Sequence, residues 1–260
     1  MKKQFFLLST AIIFLLTSCL DTEEKIEMNE NGSGNYSIAM DMSKMIGLLK
    51  QMGGGNEASE KKDTVIYFKS FTDTARNLSV MEKELLKDGR LLVKIDLDNE
   101  QMKIVINTPF TKISQLSYLK ENLSQMLDKI KVVDQAASQN LLGENNSQPA
   151  SDVKSPKTQA NPVADLYKFS LTDKQVSYKL INKQAALDFI SKDSNIQGLK
   201  EMKLVVGEVQ YKTVLVFPHA VNKVVAVNYK LSDDKKTVTI FSSLSELLEK
   251  PELLEYEVNY

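Results

Sequence analysis

Residues 91–106 read LLVKIDLDNEQMKIVI. Apolar and polar residues alternate through Val93-Lys94-Ile95-Asp96 and again through Met102-Lys103-Ile104, on either side of the polar cluster Asp98-Asn99-Glu100-Gln101. A period of two on both sides of a turn-forming cluster specifies a β-hairpin, over Leu91–Leu97 and Met102–Thr108, with one buried face. That face needs cover, and the chain supplies it directly downstream. From Ser114 onward, Leu116, Leu119, Leu123, Met126, Leu127 and Ile130 recur at the three- and four-residue spacing of an amphipathic helix. A hairpin followed by its covering helix sets the class: α+β, antiparallel sheets with helices packed on one face.

The same grammar extends both ways. Upstream, Lys25–Met42 reads as a hairpin around Asn31-Gly32-Ser33-Gly34. Ser43 then caps a helix with Met45, Ile46, Leu49 and Met52 on one face, ended by Gly53-Gly54-Gly55. A strand is expected at Thr64–Phe71, and a short helix opens at Ser79 with Glu82 at capping-box spacing. Residues 134–164 hold three of the six prolines and no sustained period, which marks a disordered linker. Beyond it come a hairpin at Leu166–Leu171 and Gln175–Ile181, and a helix around Ala185–Ile190. A strand pair over Leu204–Phe217 follows, then a hairpin at Lys223–Leu231 and Thr237–Phe241 around Asp233-Asp234-Lys235-Lys236. A helix at Leu244–Glu249 leads to a closing strand at Leu253–Val258. Residues 25–133 and 165–260 therefore form two α+β halves with one order of elements: hairpin, helix, strand, hairpin, helix. Duplication and chance recurrence both account for that order.

Composition excludes several functions. Of 260 residues, Lys and Arg number 33 and Asp and Glu 34, so there is no basic footprint for nucleic acid. A single Cys excludes an internal disulfide framework, and a single His excludes the His pairs of most catalytic zinc sites. No cofactor and no metal site is expected.

The first residues carry the strongest signal. Lys2 and Lys3 precede a largely apolar stretch, Phe5–Leu16, too short to span a bilayer as a helix and of the length of a secretory signal. It ends in Leu16-Thr17-Ser18-Cys19, which resembles the lipobox of bacterial lipoproteins. The resemblance implies that residues 1–18 are a signal peptide, that the Cys19 thiol receives a diacylglyceryl group, and that the chain is cut before Cys19 and acylated there. Two or three acyl chains give stable attachment where one gives reversible binding. The acidic run Asp21-Thr22-Glu23-Glu24 is expected within a lipidated tether, residues 19–24, and looks like the export signal some Gram-negative lineages place after the lipidated Cys. The expected location is the outer membrane, on its periplasmic or cell-surface leaflet. Beyond the lipobox the pattern loosely resembles a class of uncharacterised envelope lipoproteins, which brings no site with it.

Other candidate chemistry is better explained structurally. His219 follows Phe217-Pro218, and no Gly-x-Ser-x-Gly elbow exists for it to serve, so it reads as a loop histidine. Asp96-Leu97-Asp98-Asn99-Glu100 has the rhythm of a calcium loop, but Gln101 and Asn107 stand where Gly and a bidentate Glu are needed. Met40, Met42 and Met45 have a spacing suited to copper(I) and equally to core filling. Gly53-Gly54-Gly55 lacks the Lys-Ser/Thr of a phosphate loop. Asp63-Thr64-Val65 and Asp73-Thr74-Ala75 resemble a short O-glycosylation sequon, making Thr64 and Thr74 weak modification candidates. The expectation is a non-enzymatic, lipid-anchored envelope protein that binds or supports another envelope protein or glycan. The alternatives are a carboxylate-based hydrolase of envelope glycan or peptide, or a carrier of an apolar ligand.

Overall fold

A computed structural model describes residues 18–44, 46–47, 61–132, 166–192, 196 and 207–260. The expected linker, the Gly53-Gly54-Gly55 connector, most of the helix begun at Ser43 and nearly all of the signal segment lie outside the described residues. The chain is α+β: an eight-stranded mixed sheet, a four-stranded antiparallel sheet and helices.

The hairpin at 91–106 forms as read. Strands β4 (Arg90–Asp96) and β5 (Gln101–Phe110) pair antiparallel, and α3 (Ile113–Ile130) follows them. Leu91, Val93 and Ile95 of β4 turn inward with Ile106, Thr108 and Phe110 of β5. Against them α3 buries Leu116, Leu119, Leu123, Met126, Leu127 and Ile130, each at most 5% exposed. Side chains of this size contribute ~1.5–3 kcal/mol apiece, so this stripe is a principal source of stability. The sheet is completed by β1 (Ser18–Met28), β2 (Gly34–Asp41), β3 (Lys61–Tyr67), β8 (Glu208–Val216), β10 (Tyr229–Leu231) and β11 (Thr237–Ser243), in the order β10-β11-β8-β1-β2-β5-β4-β3. Gly34 permits the tight exit of the β1–β2 turn, because a Cβ there would lie 2.0 Å from the Glu27 carbonyl oxygen and 2.4 Å from the Phe110 ring.

The second sheet runs β6 (Tyr167–Leu171), β7 (Gln175–Leu180), β12 (Tyr256–Asn259) and β9 (Lys223–Ala226). Helix α4 (Lys183–Lys192) follows β7, and α5 (Leu244–Glu249) follows β11.

Several expectations are corrected. The repeat of element order is not a repeat of topology: the strands of the first half all lie in one sheet, whereas those of the second are divided between both sheets. The expected strand at Lys223–Leu231 breaks into β9 and β10, which belong to different sheets. Residues 208–216 are one strand rather than a pair, and it lies parallel to β1. Phe68–Phe71 leave the expected β3 to enter the short helix α1 (Lys69–Thr72), where the hydroxyls of Ser70 and Thr72 donate to the carbonyls of Tyr67 and Lys69. Such local bonds divert a chain from a sheet ladder. Pro251 opens a 3-10 turn over Pro251–Leu254, so the closing strand begins only at Tyr256.

The expected tether is also corrected. Residues 21–27 form part of β1, bonded to β2 on one side and β8 on the other. Its cause is a longer alternation than the one read: Thr22, Ile26 and Met28 are buried on one face, while Asp21, Glu23, Lys25 and Glu27 occupy the other. Glu23 meets Lys212 of β8 at 2.7 Å across the strands.

The capping box of α2 (Val80–Leu86) is present and extended. Glu82 Oε2 accepts from the Ser79 amide at 2.7 Å, while Oε1 accepts from Lys129 Nζ at 2.6 Å and Tyr118 Oη at 3.3 Å, clamping α2 to α3. The Lys129 bond, with the Ser79 amide, lowers the Glu82 carboxyl to about 2. A lowered carboxyl contributes stability that is whole above its unfolded value near 4.5 and lost as pH falls toward about 2. Glu82→Gln is therefore expected to lower stability by ~1–3 kcal/mol near neutrality. The gap to wild type should close between pH 5 and 2 in denaturant melts, and a constant gap would refute the assignment.

Candidate functional site

The chemistry-bearing side chains that meet inside the protein lie where the two sheets and α3 converge. Glu24 follows Thr22 on the inward face of β1, and Lys120 rises from the apolar side of α3, between Leu119 and Leu123. The two side chains, 20% and 9% exposed, form an ion pair. Tyr36, opposite Ile26 on β2, donates its hydroxyl to Glu24 Oε1 at 2.8 Å. The second sheet closes the site with aromatic faces. Lys120 Nζ stands 4.6 Å from the Tyr178 ring centroid and 5.4 Å from that of Phe169. Tyr167, Tyr178 and Tyr256 stack at centroid separations of 4.6 and 5.7 Å. The Lys120 ammonium is thereby held by a carboxylate and two ring faces.

Tyr36 and Tyr256 are kept as phenols. Burial raises the Tyr36 hydroxyl well above its ordinary value, and the Glu24 carboxylate beside it pushes the same way. Burial and Glu24 likewise raise Tyr256, whose hydroxyl has no hydrogen-bond partner among the described residues. Groups raised above 10 supply neither base nor nucleophile near neutral pH. What the arrangement can do is fasten β1, α3 and the second sheet to one another.

The other buried carboxylates are also committed. Asp96 accepts from the Asn99 amide at 3.1 Å and from Asn99 Nδ2 at 2.9 Å, and Lys61 lies 3.7 Å away. Those Asn99 bonds hold its carboxyl below the usual range. The calcium-like rhythm is thus spent on a hairpin turn, which ends at Glu100 with φ 53°. The Asp233-Asp234 turn is built similarly, with Asp234 accepting from Ser232 and the Lys236 amide and Lys235 at φ 57°. Among the described residues, no three His, Cys, Asp or Glu side chains cluster as metal ligands would.

The remaining candidates are dispersed. Cys19 is the second residue of strand β1, two residues before the doubly paired Asp21. Thr64 is half-buried on the edge strand β3, whereas Thr74 is exposed in the turn after α1, its hydroxyl donating to the Phe71 carbonyl at 3.2 Å. His219 is exposed in the loop after Phe217. Met40 and Met42 are half-buried at the end of β2, and the Met45 side chain lies outside the described residues. Sequence reading missed Glu24 and Lys120, though both interrupt apolar faces and that interruption was visible. No helix among the described residues is long and apolar enough to cross a membrane. No family model matches the chain, and neither a curated protein nor a solved structure proved significantly similar.

Proposed function

We propose that this is a non-catalytic, lipid-anchored envelope protein, held to the outer membrane through Cys19, whose α+β body binds or supports another envelope component, protein or glycan. The observation that carries this reading is Leu16-Thr17-Ser18-Cys19 at the end of a short apolar segment, running into the start of the body's first strand. Support comes from the interior: Glu24, Glu82 and Asp96 are each bound to structural partners rather than opposed across a cleft. Hydrolysis by paired carboxylates needs two such groups facing one substrate.

Two measurements on protein expressed with its own signal test the reading. Intact mass of the amino-terminal peptide should give Cys19 as first residue, carrying diacylglyceryl and acyl groups. In-cell crosslinking of the membrane fraction should then recover a discrete envelope partner. A free thiol on a soluble product would remove the anchor. Turnover of an envelope glycan or peptide, abolished by changing one carboxylate, would remove the non-catalytic assignment.

A further inference from the structure

We infer that the end of the large sheet at which β1 begins rests directly on phospholipid headgroups, with the β4–β5 turn in contact and the β1–β2 turn held about 30 Å above; this rests on the anchor proposed for Cys19. The connection between lipid and body is very short. Asp21 is already paired with Asp41 of β2 and Gln210 of β8, so Cys19 lies at most ~7 Å from the last residue fixed on both sides. A lipoprotein with a long linker can hold its body anywhere above the membrane. Here the fold begins where the lipid ends.

The register then places the neighbouring elements. Strands β1 and β5 both run antiparallel to β2, and Asp21, Asp41 and Lys103 share one level of the sheet. Gln101, two residues before Lys103, is therefore level with Cys19, and the turn Leu97–Glu100 extends past that level. It stands two to three strands from β1, on the order of 10–15 Å to the side. On the other flank Val209 is opposite Leu20, Ser243 is opposite Gln210, and α5 begins immediately beyond. Strand β1 is fourth of eight, so the lipid attaches near the middle of this rim. A bilayer tied to the centre of the rim meets the turns on either side of it. The β1–β2 turn around Glu30–Gly32 lies at the opposite end, nine or more residues of extended chain away, beside the loop that carries His219. That far end is what the orientation offers to a partner. The rim carries both signs, with Asp98 and Glu100 in the β4–β5 turn, Lys44 just past the end of β2 and Lys61 at the start of β3, so the contact is imposed by attachment and should tolerate salt.

Full-length mature protein in vesicles of phosphatidylethanolamine and phosphatidylglycerol, with nitroxide on a fraction of the headgroups, tests this. Cys19 is the chain's only cysteine and would be occupied by lipid, so one introduced thiol takes a fluorophore, at Asp98→Cys or at Glu30→Cys. Both positions are exposed. Quenching is expected to be several-fold stronger at position 98 than at 30. A Gly/Ser insertion of about twelve residues between Cys19 and Leu20, reaching roughly 20 Å, should bring position 98 down to the level of 30 while leaving the lipid in place. Equal, weak quenching on protein whose mass shows a lipidated Cys19 overturns the orientation alone. A bare Cys19 overturns the anchor and the orientation with it. Strong quenching at 98 that survives the insertion overturns the role given to the short connection.

Discussion

Lys120→Met is expected to lower the stability of the protein by ~3–5 kcal/mol. Methionine keeps most of the side chain's reach and its apolar stem, so the loss isolates the charge. With Lys120 gone, Glu24 stays largely buried, and among the described residues its carboxylate keeps only the Tyr36 hydroxyl. Lost cation–π contact with Tyr178 and Phe169 adds ~0.5–2 kcal/mol. Both partners together behave differently, because removing a buried pair entirely leaves no orphan charge. Glu24→Gln combined with Lys120→Met should therefore recover a large part of the loss, and the double-mutant cycle should return a coupling above ~1 kcal/mol. Because the pair joins β1 to α3 and lies under β6 and β7, amides of the small sheet should exchange faster in the single variant than those of β4 and β5. Additive effects below ~1 kcal/mol would show that the pair is not what fastens the second sheet.

The parts of this fold that were readable are those whose partners are close in sequence. The β4–β5 hairpin, the stripe of α3, the caps of α2 and α5, and the β6–β7 hairpin all bury a face against something within about thirty residues, so local period and turn chemistry suffice. The β1–β8 pairing joins residues nearly 190 apart and is parallel, which requires no turn signal and leaves none. The same remoteness concealed the tether's true nature. Asp21-Thr22-Glu23-Glu24 looks solvated until Lys212 and Lys120 arrive from far along the chain to neutralise Glu23 and Glu24. Division of β9 and β10 between two sheets was equally invisible, since Val225, Val227 and Tyr229 continue one alternation through the switch. For the buried cluster a local signal did exist. A lysine inside the Leu116–Leu119–Leu123 stripe and a glutamate between Thr22 and Ile26 each contradict the face they occupy, and two such contradictions of opposite charge can resolve each other.

The other large effect belongs to Cys19. Cys19→Ala, expressed with the natural signal, is expected to yield an uncut chain that retains Phe5–Leu16 and carries no lipid, since the thiol is the only group that can take the diacylglyceryl unit at that position. That precursor could still hold to a membrane through its apolar stretch, so a second arrangement separates the two attachments. Placed behind a signal cleaved in the ordinary secretory way, the Cys19→Ala body should move from essentially complete membrane retention to the soluble fraction. The expectation follows from scale: each acyl chain contributes ~0.8 kcal/mol per buried CH₂, and losing two or three removes the whole of the attachment. Stability of the released body should stay within ~0.5 kcal/mol of wild type, because the substitution falls near the start of β1, before Asp21, the first residue paired with both neighbouring strands. Fractionation and a denaturant melt of the same preparation read both quantities. A lipid-free body that remains with the membrane after a high-salt wash would mean that its surface, or a partner gripping it, is the true attachment, and that the sulfur of Cys19 is incidental.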